Sequence, residues 1–146
     1  TIDTSTLTLE KGGIIDVSIF GKGNAGNITI KSTERVTVLG GLSSGVKATG
    51  EGDSGGITID TSTLTLEKGG FISTSTFGKG NAGNIAIKST ERVTVLGGLS
   101  SGVTATGEGN SGGITIDTST LTLEKGGFIS AGIFGKGNAG NIEIQA

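Results

Sequence analysis

The stretch TIDTSTLTLEKGG begins at Thr1, again at Thr58 and again at Thr115, so the chain repeats itself every 57 residues. Residues 1–57 and 58–114 differ at only seven positions, and a third copy runs to Ala146. A weaker half-repeat lies inside each period. NAGNITIKSTERVTVLGGLSSGVKATGEG (24–52) aligns with DSGGITIDTSTLTLEKGGFISTSTFGKG (53–80), so 57 is a unit of 29 followed by a unit of 28. The chain therefore holds about five small units, read as a single segment over 1–146 with repeats 1–57, 58–114 and a partial 115–146. A fixed period of this length marks a supersecondary element that buries its apolar face only by stacking on its neighbours.

Each unit opens with Gly, then Asn or Asp, any residue, Gly, Asn or Gly, and Ile-x-Ile, at 23–30, 52–59, 80–87, 109–116 and 137–144. Gly and Asn tolerate the backbone of tight corners, and the alternation after them is a strand signal. Three alternating stretches fit each unit: NITIK, RVTVL and LSSGVKAT in one kind, GITID, TLTLE and FISTSTF in the other. No stretch has a helical apolar period, and β-branched residues dominate. The expected fold is all-β: a parallel β-helix (β-solenoid) of about five coils with three short strands per coil, each strand about 4.8 Å above its equivalent.

That stacking aligns like residues in inward columns. Ile28, Ile57, Ile85, Ile114 and Ile142 form one, and Ile2, Ile30, Ile59, Ile87, Ile116 and Ile144 the next. The second stretch adds Leu7, Val36, Leu64, Val93, Leu121 and Leu9, Val38, Leu66, Val95, Leu123. The third is looser, with Ile15, Val17 and Ile19 expected over Ser44, Val46 and Ala48. A dry aliphatic stack is expected to fill the bore and drive folding. At the corner, Asn24, Asp53, Asn81, Asn110 and Asn138 line up as an asparagine ladder hydrogen-bonding the turn backbone. Lys22, Glu51, Lys79, Glu108, Lys136 and Asp3, Lys31, Asp60, Lys88, Asp117 alternate in sign at every step. Identical coils would set like charges side by side, so two coil types relieve the repulsion and specify register.

Gly (30), Thr (22) and Ser (15) make up nearly half the chain, while Cys, His, Met, Trp, Tyr and Pro are absent. Disulfides, imidazole or thiolate metal sites, histidine bases and cysteine nucleophiles are excluded together. Eleven Lys+Arg against 13 Asp+Glu give a net charge of −2, with five Phe, which argues against a nucleic-acid partner. No apolar run of about 18 residues is present, so no membrane span is expected. The missing initiator Met and the absence of a signal peptide suggest an excerpt from a longer protein.

GKGNAG (21–26, 78–83, 135–140) and GEGxSG (50–55, 107–112) match GxGxxG, but a strand rather than a helix follows each, so they read as tight corners and not as nucleotide loops. GEGDSGG resembles calcium-binding nonapeptides only at Asp53, whose successor is Asn110. The sequon Asn27-Ile28-Thr29 occurs once. Thr8, Thr37, Thr65, Thr94 and Thr122 form an outward column, the candidate surface for ice or a polysaccharide, beside a second rank in which Thr6, Thr63 and Thr120 alternate with Arg35 and Arg92. Near-identical coils do not readily build the unique acid cluster of a glycan-cleaving enzyme. Residues that break the repeat are few (Asp16, Val17, Lys47, Asp53, Glu143) and form no recognisable constellation. Catalytic, cofactor-binding and metal-ligating residues are therefore not assigned, and no cofactor is expected. Variation gathers at 14–20, 71–77 and 128–134, one strand of alternate coils.

GKGNAGNITIKSTERVTVLGG and GGITIDTSTLTLEKGGFIS resemble the repeats of large cyanobacterial exoproteins related to filamentous haemagglutinin, the two-partner secretion family, across essentially the whole chain. The resemblance implies a right-handed parallel β-helix forming the shaft of an adhesin exported unfolded to the cell surface or beyond. The family's N-terminal secretion domain is missing, so export and haemagglutination are not carried over. Copies this alike, cut mid-repeat, also fit an idealised or engineered concatenation built as a scaffold. The leading expectation is a non-enzymatic structural shaft, followed by a Thr-bearing binding face and then a glycan-cleaving enzyme. Open strand edges on the first and last coils lead to an expectation of end-to-end self-association.

Overall fold

In a computed structural model describing all 146 residues, the chain is all-β, without helix, and winds as a β-solenoid of about five turns. The strands are β1 (Ile2–Leu9), β2 (Ile14–Asp16), β3 (Ile28–Val38), β4 (Gly41–Val46), β5 (Ile57–Leu66), β6 (Phe71–Thr76), β7 (Ile85–Val95), β8 (Gly98–Val103), β9 (Ile114–Asp117), β10 (Thr120–Leu123), β11 (Phe128–Ser130) and β12 (Ile142–Gln145). Every pairing is parallel. The first sheet runs β1-β3-β5-β7-β9-β12, with β10 also on β7, and the second β2-β4-β6-β8-β11. A third side is one residue wide: Lys22, Glu51, Lys79, Glu108 and Lys136 bridge in succession.

The first two stretches of each inner coil join into one long strand through a local shift in register, as between Lys31 and Arg35 where β3 meets β5. In the last full coil they separate as β9 and β10. The inward columns of this sheet stack as the alternation requires: Ile28 on Ile57, Ile30 on Ile59, Val36 on Leu64, Val38 on Leu66. Ile57, Ile59 and Ile30 are wholly enclosed. They belong to a continuous cluster of 18 buried apolar residues along the axis, so burial is supplied coil by coil from the neighbours.

The second sheet departs from the expected register. Ile15 sits on Leu42, not on Ser44, and Ile19 sits on Val46, not on Ala48. The reason is corner length. GluLysGlyGly is closed by the Gly13 N–H donating to the Glu10 carbonyl at 2.9 Å, with Gly12 at φ 83°, a turn that a side chain resists. Between Val38 and Leu42 the other coil takes a corner two residues shorter, and between Val46 and Glu51 it takes one two residues longer than Thr76 to Lys79. These differences cancel, and the extra residue at the register shift leaves 29 against 28.

The bore is also not uniformly aliphatic. The middle inward column of the second sheet reads Val17, Ser44, Thr74, Ser101, Ala131, and the three hydroxyl residues are wholly enclosed. Ser44 Oγ donates to the Gly26 carbonyl and accepts from the Gly55 N–H, both at 2.9 Å. Thr74 Oγ1 and Ser101 Oγ both donate to the Gly83 carbonyl, at 2.6 and 2.8 Å. Every buried side-chain polar atom has a partner, as a low-dielectric interior demands. The wall of the first sheet is therefore mainly aliphatic, its buried hydroxyls Ser32, Thr61 and Ser89 bonding to carbonyls within that sheet, while the second sheet adds Leu42, Ile72 and Leu99 and is tied through its middle column to the glycine corner.

Candidate functional site

The corner glycines define what GxGxxG does here. Its second glycine has positive φ in every unit: 132° at Gly23, 142° at Gly52, 134° at Gly80. Its third glycine passes against the coil before, since a Cβ on Gly55 would lie 2.0 Å from the Gly26 carbonyl oxygen. A strand follows each motif. The loops are stacking corners, and they lack the helix N-terminus that a dinucleotide site uses.

The corner ladder is built from side-chain oxygens. Asn24 Oδ1 accepts from the Asp53 N–H at 2.9 Å, Asp53 Oδ1 from Asn81 at 2.8 Å, Asn81 Oδ1 from Asn110 at 2.9 Å and Asn110 Oδ1 from Asn138 at 3.0 Å. Only an acceptor is required, which is why a carboxylate serves at position 53. These side chains are exposed at the rim. Beside this ladder the same contact forms at alternate steps, where the next coil carries a glycine: Asn27 Oδ1 accepts from Gly56 and Asn84 Oδ1 from Gly113, each at 2.8 Å. Asn27, the sequon residue, is thus engaged through its oxygen. Nowhere do three His, Cys, Asp or Glu side chains come together, Asp53 included.

Thr8, Thr37, Thr65, Thr94 and Thr122 lie in unbroken register on the outer side of the first sheet. Thr8 is exposed and the other four are half-buried. Thr6, Arg35, Thr63, Arg92 and Thr120 run alongside. The register shift between Lys31 and Arg35 separates both ranks from the column Thr29, Thr58, Ala86, Thr115.

Of the charge columns, the corner one closes partly: Lys22 Nζ is 3.7 Å from Glu51 and Lys136 Nζ 3.5 Å from Glu108, all well exposed. Asp3, Lys31, Asp60, Lys88 and Asp117 are neighbours in register, but none of them is joined in an ion pair. The remaining ion pair joins two residues that break the repeat: Lys47 Nζ lies 3.8 Å from Asp16 and 6.0 Å from the Phe77 ring centre. In the next copy the same positions are Ser73 and Thr104, so charge is introduced or removed at both together. Spatial adjacency, hidden by 31 residues of separation, is what a sequence reading of these residues lacks.

No helix is long and apolar enough to cross a membrane. Comparison with protein-family models, curated proteins and solved structures finds no match for the chain. The class its architecture defines is that of the parallel β-solenoids of stacked repeat coils.

Proposed function

We propose that the chain is a non-enzymatic, load-carrying segment of a rigid shaft, of the kind found in secreted adhesins related to filamentous haemagglutinin, working outside the cell or at its surface. The observation that carries this reading is the reuse of the same contacts at every level: aliphatic columns, side-chain oxygen ladders and glycine corners repeat with the coil. A molecule made this way gains length in proportion to its repeats, and each coil is held by its neighbours alone. The adhesive function then belongs to what the shaft carries.

The test is dimensional. Variants with one or two further 57-residue repeats should lengthen in small-angle scattering by about 9.6 Å per repeat, two strand spacings, at constant cross-section. A growing cross-section, or a radius that rises as for a compact sphere, would refute the shaft reading. The in-register Thr8, Thr37, Thr65, Thr94, Thr122 column supports a second reading, a face for ice or glycan. Thermal hysteresis that disappears in Thr65→Lys would establish it.

A further inference from the structure

The two-residue alternation along β6, continued by the residue after it, puts Phe71, Ser73, Ser75 and Phe77 on the outward side of the second sheet. Across the coils this makes two aromatic rails with a low floor between them. One rail is Ile14, Gly41, Phe71, Gly98, Phe128. The other is Phe20, Lys47, Phe77, Thr104, Phe134, which directly follow the paired residues Ile19, Val46, Thr76, Val103 and Ile133. The floor is serine and glycine, Ser73 and Ser75 pairing with Ser100 and Gly102. Phe71 and Phe128 lie over the glycines of the coil before: a Cβ on Gly41 would come 2.2 Å from the Phe71 ring, and one on Gly98 2.7 Å from Phe128. Phe77, Phe128 and Phe134 remain 40%, 52% and 85% exposed. Between Phe128 and Phe134 is a hollow of about 450 Å³ over Ser100, Gly102 and Ser130, and a similar one of about 280 Å³ lies between Phe71 and Phe77.

Packing within the coil does not require the second rail to be aromatic, since the same column accepts Lys47 and Thr104. Between the first two copies, four of the six residues 14–19 change, whereas Phe20, Phe77 and Phe134 stay the same. The charges bordering the floor are Asp16 and Lys47, which pair and cancel. The first sheet, by contrast, carries Asp3, Lys31, Asp60, Arg35 and Arg92 outward. An occupant of the second face is therefore uncharged. It offers apolar faces to the rings and hydroxyls to the serines. It also repeats at the spacing of every second coil, about 9.6 Å. An extended β-linked glycan combines these properties, because its rings alternate along the chain with a two-sugar repeat close to that distance.

We infer that the outward face of the second sheet is a groove for an extended, uncharged, β-linked polysaccharide lying along the solenoid axis. This site is distinct from the threonine face and does not depend on the shaft reading. Its test is binding of the intact protein to insoluble cellulose and chitin by co-sedimentation, and to cellohexaose and chitohexaose by calorimetry. Binding to one of them is expected, weakened about tenfold in Phe77→Thr and again in Phe134→Thr, and unchanged in Thr65→Lys. Thr104 already occupies this rail, so both variants should keep the far-ultraviolet spectrum of the parent. Binding to none of the four ligands, or binding undiminished in the Phe77→Thr/Phe134→Thr double variant, would overturn the proposal. So would a dimer in sedimentation equilibrium that the double variant abolishes, since the face would then belong to a second copy.

Discussion

The first sheet presents Ile57, Ile59, Leu64 and Leu66 to the bore and a lattice of threonine and charge to solvent, while the second presents Ile72, Thr74 and Thr76 inward and serine between phenylalanines outward. Both enclose the same axis and obey the same two-residue alternation. They differ in how they are held. The first is fixed mainly by apolar burial, which is strong and tolerant of small shifts in position, its buried hydroxyls bonding only within the sheet. The second is fixed partly by hydroxyls reaching across the bore to glycine carbonyls, which are weaker but directional. Four of the seven differences between the first two copies fall on the second sheet, among them the inward position occupied by Val17, Thr74 and Ala131.

This contrast can be broken by substitution. Ile59→Ala, in the enclosed first-sheet column, should cost about 2–5 kcal/mol, read as a lowered urea midpoint. Ser44→Ala removes one hydrogen-bond donor and one acceptor from a dry site and should cost about 1–3 kcal/mol. If it costs as much as Ile59→Ala, the two walls are not held by different means. Asn81→Ala takes the acceptor from the Asn110 N–H at an exposed rim and should cost about 1 kcal/mol, whereas Asn110→Asp, copying Asp53 between two neutral asparagines, should be nearly neutral in thermal melting. Lys79→Glu would place three acidic side chains in successive corners, and its effect, below about 1 kcal/mol, should shrink in high salt. Thr65→Val, on the outer face of the first sheet, should move stability by no more than about 0.5 kcal/mol.

The period and the first-sheet alternation carry most of the fold to the reader of the sequence, because Ile30, Ile59 and Ile87 leave no other register that buries them all. The second-sheet register is less legible. Its two corner lengths change in opposite directions, so the total period conceals the two-residue displacement that brings Ile15 onto Leu42. The hydroxyl wall is obscured for a related reason: Ser44 and Thr74 are ordinary residues for an exposed strand, and only closure of the coil puts them inside. Of the candidate sites, the threonine and asparagine columns are legible as columns because they recur at every coil. The phenylalanine groove is signalled only by the even spacing of Phe71, Ser73, Ser75 and Phe77, since its alternate-coil glycines hide the columns that complete it.

The rim hydrogen bonds also give the axis a direction. Asp53, Gly56 and Asn81 donate to oxygens of the coil before them, as Ser62 Oγ does to Thr33 and Thr106 Oγ1 to Phe77. In these side-chain bonds the completed turn holds out oxygens and the arriving turn brings the hydrogens, whereas the backbone of the same corner also donates forward, from Gly23 to Glu51 and from Ala25 to Asp53. That asymmetry of donor and acceptor among the rim side chains distinguishes the two ends of an otherwise monotonous rod.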